Sequence, residues 1–127
     1  MVSQRISIEF EGLSVQAELN DSPCAGGLLG ALPLQAEVNT WGEEIYFSIG
    51  LDLPAGAGAR SDMAVGEVAY WPPGRAFCIF FGRTPASGAD GAPRAASDVE
   101  PLGRVVGDVE VLKGVRDAEH VTLSAAS

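Results

Sequence analysis

Two apolar runs meet at Pro72-Pro73-Gly74, and this joint constrains the fold more than any other part of the chain. The stretch Gly66–Pro85 around it holds three of the five Phe, one of the two Trp and one of the two Tyr. Proline presets φ at one turn position and glycine accepts a positive φ at another. The stretch therefore reads as a β-hairpin with a stiff, aromatic-lined reversal.

The alternation elsewhere agrees with a β protein. Gln4, Ile6, Ile8 and Phe10 share one parity against Arg5, Ser7 and Glu9, and Leu13, Val15, Ala17 and Leu19 repeat the pattern. A period of two marks half-buried strands, here joined across Glu11-Gly12 as a hairpin. Ser22 and Pro23 suit the cap and first position of a helix over about 22–32, stopped by Pro33. Strands follow through Leu34, Ala36 and Val38, then, after a turn at Thr40-Trp41-Gly42, through Ile45, Phe47 and Ile49. Residues 52–64 and 84–98 are poor in large apolar side chains and read as loops, the second a mobile surface one. Leu102–Val106 is a strand, 108–114 a short helix, and Val121, Leu123 and Ala125 a last strand. About eight strands and two short helices point to a single domain over 1–127, a closed eight-stranded β-barrel without exposed sheet edges.

The order of elements resembles the cyclophilin barrel. Leu102-Gly103-Arg104-Val105-Val106-Gly107-Asp108-Val109 looks like the cyclophilin pattern in which Gly-x-Val-x-x-Gly precedes a helix. Trp41–Phe47, Ala69–Gly74 and Ile79–Pro85 together resemble a small prokaryotic family of cyclophilin-like domains of unknown function. The resemblance implies the fold without the enzyme. In prolyl isomerases of this class a strand arginine polarises the substrate, and its place falls at Glu44 or Tyr46. Ala76 stands where a glutamine lines the pocket, Cys78 where an aromatic ring packs on proline, and the loop bearing the family's Trp and His has no counterpart.

Charge narrows the partners. Lys+Arg is 8 against Asp+Glu 17, a formal net charge of -9. Such a surface repels polyanions, so neither nucleic acid nor an anionic membrane is an expected partner. No apolar run approaches the ~20 residues of a membrane span, and the first residues lack a signal peptide's pattern, so a cytoplasmic location is expected. Cys24 and Cys78 sit in apolar segments and read as buried thiols. With a single histidine, His120, a histidine-rich metal site is excluded by count, and His120 is expected to face solvent. No catalytic residue, metal or cofactor is indicated.

Parity separates the central strands into two faces. Ile45, Phe47, Val68, Tyr70, Phe77, Ile79 and Phe81 face inward, while Glu44, Tyr46, Trp71, Cys78 and Phe80 face outward. That many outward apolar groups either lie beneath the long loops or line a groove. The expected function is a non-enzymatic binding domain whose groove of Glu44, Tyr46, Trp71, Cys78 and Phe80 takes a small ligand or peptide segment. Two alternatives stand beside it: a prolyl isomerase of weak or altered activity, with Arg75 or Arg83 as substitute electrophile, and an assembly module using the aromatic face between subunits of an oligomer.

Overall fold

The computed structural model describes residues 4–54, 56 and 58–126. Its elements are β1 (Gln4–Glu9), β2 (Ser14–Leu19), α1 (Pro23–Ala31), β3 (Leu34–Glu37), β4 (Asn39–Thr40), β5 (Glu44–Ser48), β6 (Arg60–Asp62), β7 (Glu67–Trp71), β8 (Ala76–Phe80), β9 (Arg94–Val106) and β10 (His120–Ala125). Two 3-10 helices, Pro72–Gly74 and Val109–Gly114, complete them. The architecture is mainly β, as expected, and no helix among the described residues is long and apolar enough to cross a membrane.

The expected closed eight-stranded barrel is corrected. Ten strands form one sheet whose ladder runs β3-β10-β1-β2-β9-β7-β8-β5-β4, with β6 added to β9. The ladder has two ends, β3 and β4, and the cause lies at Val38. β3 pairs with β10 and β4 with β5, so the run Leu34–Thr40 changes partner midway and divides into two short strands. Val38 itself bonds outside both ladders, its N–H donating to Glu119 at 2.9 Å and its carbonyl accepting from Ala118 at 2.8 Å. The chain, not a strand pair, joins the two ends.

The first hairpin forms in the register the alternation requires, Ile6 opposite Ala17 and Ile8 opposite Val15. Ser22 caps α1, its Oγ accepting from the Ala25 N–H at 3.2 Å, with Pro23 leading the helix. Asp108 caps the Val109–Gly114 turn by accepting from the Glu110 N–H at 2.9 Å. The Pro72–Gly74 reversal differs in detail from expectation. Arg75, not Gly74, takes the left-handed conformation, at φ 47°. Gly74 is needed for another reason: a Cβ there would lie 2.8 Å from the Trp71 ring.

Both loops contain strand. Residues 60–62 of the first form β6, and residues 94–98 of the second open β9, which runs thirteen residues from Arg94 to Val106. Small side chains do not exclude a strand when the partner is close and the site narrow. The remainder of the second loop is tied by its own polar groups, Thr84 Oγ1 donating to the Arg94 carbonyl at 2.6 Å and Ser87 Oγ to the Ala92 carbonyl at 2.7 Å.

Two cores result. The inner one contains Ile6, Ile8, Leu28, Ile45, Phe47, Phe77, Ile79, Leu102 and Leu123 among its residues, and Phe47 and Phe77 stack in it at 5.4 Å. The outer one, Met63, Ala69, Ala76, Cys78, Phe80, Ala95 and Val99, lies where β6 and the first half of β9 fold over β5, β7 and β8. β9 serves both cores.

Candidate functional site

Residues opposite one another in an antiparallel pair share a face of the sheet. Glu44 lies opposite Phe80 and Tyr46 opposite Cys78, while Ala69 opposes Cys78 and Trp71 opposes Ala76. The outward residues of β5, β7 and β8 thus make one surface, as parity predicts. The expected groove is narrower than the five residues proposed for it. Glu44, Tyr46 and Trp71 line a pocket of about 170 Å³, together with Trp41, Ala95, Ala96 and Val99. Cys78 and Phe80 are 1% and 0% exposed and lie in the outer core rather than at the opening. The covering segment that hides them is β6 and the start of β9.

Sequence reasoning missed four lining residues. Trp41 was legible as an aromatic in a turn; its position follows because its N–H donates to the Glu44 carbonyl at 2.9 Å, folding the turn back on β5. Ala95, Ala96 and Val99 carried no signal, since nothing in a small-residue stretch shows which sheet face it will roof. Ser97 holds the roof to the wall: Trp71 Nε1 donates to Ser97 Oγ at 2.7 Å. That bond occupies the indole donor, so Trp71 offers the pocket its ring. Tyr46 meets Trp71 edge to face, with centroids 6.4 Å apart, a favoured geometry for aromatic pairs.

Glu44 dominates the electrostatics. Its residue is 6% exposed, and among the described residues its carboxylate forms no ion pair. Burial raises its pKa to about 7, with a hydrogen bond from the Cys78 thiol opposing the rise. A carboxyl group near that value populates both forms around neutral pH, so it can accept a hydrogen bond in one and donate in the other. The neighbouring Cys78 thiol is pushed well above its ordinary range, first by burial and then by Glu44, which makes it an inert thiol rather than a nucleophile.

The remaining expected groups lie elsewhere. Arg75 pairs with Asp52 at 3.0 Å and Arg83 donates to the Gly88 carbonyl at 3.2 Å; neither lines the pocket. His120 is exposed at the start of β10, and Cys24 and Cys78 are buried free thiols. Among the described residues no group of three or more His, Cys, Asp or Glu is arranged to hold a metal ion.

A ten-stranded sheet of this order, with a Pro-led helix after the first hairpin and an aromatic outer face, defines a cyclophilin-like domain. The chain belongs to the cyclophilin-like family, which it matches over residues 4–124. It is similar to the hypothetical protein AF2241 from Archaeoglobus fulgidus, whose solution structure superposes with a TM-score of 0.83 at 38% identity, covering 98% of this chain and 96% of that one. Comparison with curated proteins finds no match.

Proposed function

We propose that the chain is a binding domain that holds a small ligand or a peptide segment in the pocket of Trp41, Glu44, Tyr46 and Trp71. One observation carries this reading: a buried carboxylate without a cation opens on the same small cavity as three aromatic rings. An uncompensated buried acid is costly to a fold that gains nothing from it, and aromatic walls supply contact area at little entropic cost. Titration of the protein with cationic, neutral and anionic fragments, followed by tryptophan fluorescence, tests it. Binding is expected to weaken in Glu44→Gln and in Trp71→Phe; binding indifferent to both changes removes this pocket from consideration.

A second reading, a prolyl isomerase of weak activity, is favoured by the protonated form of Glu44, which supplies a neutral donor. A neutral donor gives roughly half the strength of a charge-assisted one, and the X-Pro barrier is about 20 kcal/mol. No guanidinium lines the pocket to assist it. Turnover of X-Pro peptides is therefore expected to stay at the uncatalysed rate, and rapid turnover lost in Glu44→Ala would establish the enzyme instead.

A further inference from the structure

We propose that the pocket is selective for a primary or secondary alkylammonium group, carried by a free amine or by a lysine side chain. This deepens the binding reading and rests on it. Glu44 is the one charged residue among those that line the cavity, and the other lining residues are Trp41, Tyr46, Trp71, Ala95, Ala96 and Val99. No Lys, Arg or His is among them, so an anionic ligand meets the Glu44 carboxylate with no cation to offset the repulsion. A cation over aromatic faces is attracted by the ring quadrupoles, more strongly when desolvated. The same cation neutralises the buried acid.

The donor inventory decides between kinds of cation. The Glu44 carboxylate lines the cavity and takes part in no ion pair among the described residues, and Trp71 spends its N–H on Ser97 at 2.7 Å. An occupant with N–H donors of its own can bond that carboxylate directly, which an ammonium with one to three alkyl groups does and a quaternary ammonium does not. Size agrees. At roughly 30 Å³ for each water-sized group, about 170 Å³ holds five or six heavy atoms, the size of butylammonium or of the side chain of lysine beyond its Cα.

The titratable neighbours facing Glu44 leave the electrostatics to it. β8 presents the Cys78 thiol, held neutral by burial. Glu43, next along the chain, is engaged elsewhere, accepting from the Arg83 N–H at 3.2 Å and lying 3.7 Å from Lys113. From β7 and β9 the residues at the pocket are Trp71, Ala95, Ala96 and Val99, none of which titrates.

Calorimetric or NMR titration of the whole chain at pH 8 with butylammonium, N-methylbutylammonium, tetramethylammonium and n-butanol tests the selectivity. Butylammonium is expected to bind roughly ten- to hundredfold more tightly than n-butanol, the range that charged hydrogen bonds support, with tetramethylammonium between them. Glu44→Gln is expected to abolish the difference while thermal unfolding shows it folded; Trp71→Phe, which keeps a ring, is expected to weaken all the amines and keep their order. A capped Gly-Lys-Gly peptide binding better than butylammonium names lysine as the source, and the reverse names a free amine; either keeps the proposal. Equal affinity for n-butanol and butylammonium, or preference for butyrate, overturns the selectivity while leaving a ligand pocket in place. Absence of binding by every fragment class overturns the binding reading as well.

Discussion

On the inner face of β5, β7 and β8 stand Ile45, Phe47, Val68, Tyr70, Phe77 and Ile79, while the outer face of the same strands carries Glu44, Tyr46, Ala69, Trp71, Cys78 and Phe80. The inner set packs with large side chains from β1, β2, β9 and β10, among them Ile6, Ile8, Leu19, Leu102 and Leu123. Even its one hydroxyl is satisfied, Tyr70 donating to the Leu51 carbonyl at 2.6 Å. The outer set meets a thin cover of β6 and early β9, built from Met63, Ala95 and Val99. Met63, Ala95 and Val99 do not fill the space above three strands, and a cavity remains at the edge where Tyr46 and Trp71 stand. Two faces of one set of strands thus divide the work: one stabilises, the other is left open and charged. Stability belongs to complete packing, and binding sites to places where packing stops short.

The largest test of that division is Phe77→Ala in the inner core. Removing a fully buried ring is expected to cost about 3–5 kcal/mol, measured by urea unfolding. A loss near 1 kcal/mol would show that the inner face is not the main source of stability.

Next in size is the pH dependence contributed by Glu44. Its folded pKa of about 7 lies above the ordinary 4.5, so the native state binds the proton more tightly than the unfolded one. The contribution is whole below about pH 4.5 and is lost as pH rises towards 7. At about 1.4 kcal/mol per pH unit the loss is at most roughly 3 kcal/mol. Glu44→Gln does not titrate, so its stability relative to the parent is expected to grow from pH 5 to pH 7.5 and then level off. A difference constant across that range would show an acid that the outer face does not desolvate.

Gly103→Ala probes the strand that joins the two faces. Gly103 sits at φ 152°, and a Cβ there would collide with the Glu18 carbonyl of β2. Beside it the β7–β9 register shifts between Val68 and Ala69, where β9 passes from the outer cover to the inner core. The substitution is expected to cost about 1–3 kcal/mol; no cost would mean that the crossing tolerates rearrangement.

The smallest effect concerns the roof. Ser97→Ala removes the acceptor for Trp71 Nε1, at a cost of about 1 kcal/mol or less for an exposed bond. Its signature is spectroscopic: the tryptophan emission is expected to shift while the inner core stays intact by far-UV circular dichroism. An unchanged spectrum would separate Ser97 from the pocket wall.

The strands of the inner core were legible because alternation is a local property. Each of Ile6, Ile8, Ile45, Phe47, Phe77 and Ile79 can be assigned a side from its own neighbours in the chain, and the helix after Ser22 announces itself through its cap and its proline. Parity also placed Glu44, Tyr46 and Trp71 together on the outer face. It could not divide the five outward residues, because Cys78 and Phe80 differ from Tyr46 and Trp71 only in what covers them. That cover comes from Ala95 and Val99, residues in a stretch whose own composition signals a loop.

The sequence by itself determined which residues face inward, where the helix starts, and which aromatic and acidic groups share a surface. These depend on periodicity, capping and local spacing, which act within a few residues. Only the tertiary structure decided that the ladder changes partner at Val38, that Trp41 folds back over β5, that early β9 roofs the outer face, and that Glu44 is thereby desolvated. Each of those turns on contacts between segments distant in the chain, and burial, which sets both the cavity and the acidity of Glu44, exists only once they have met.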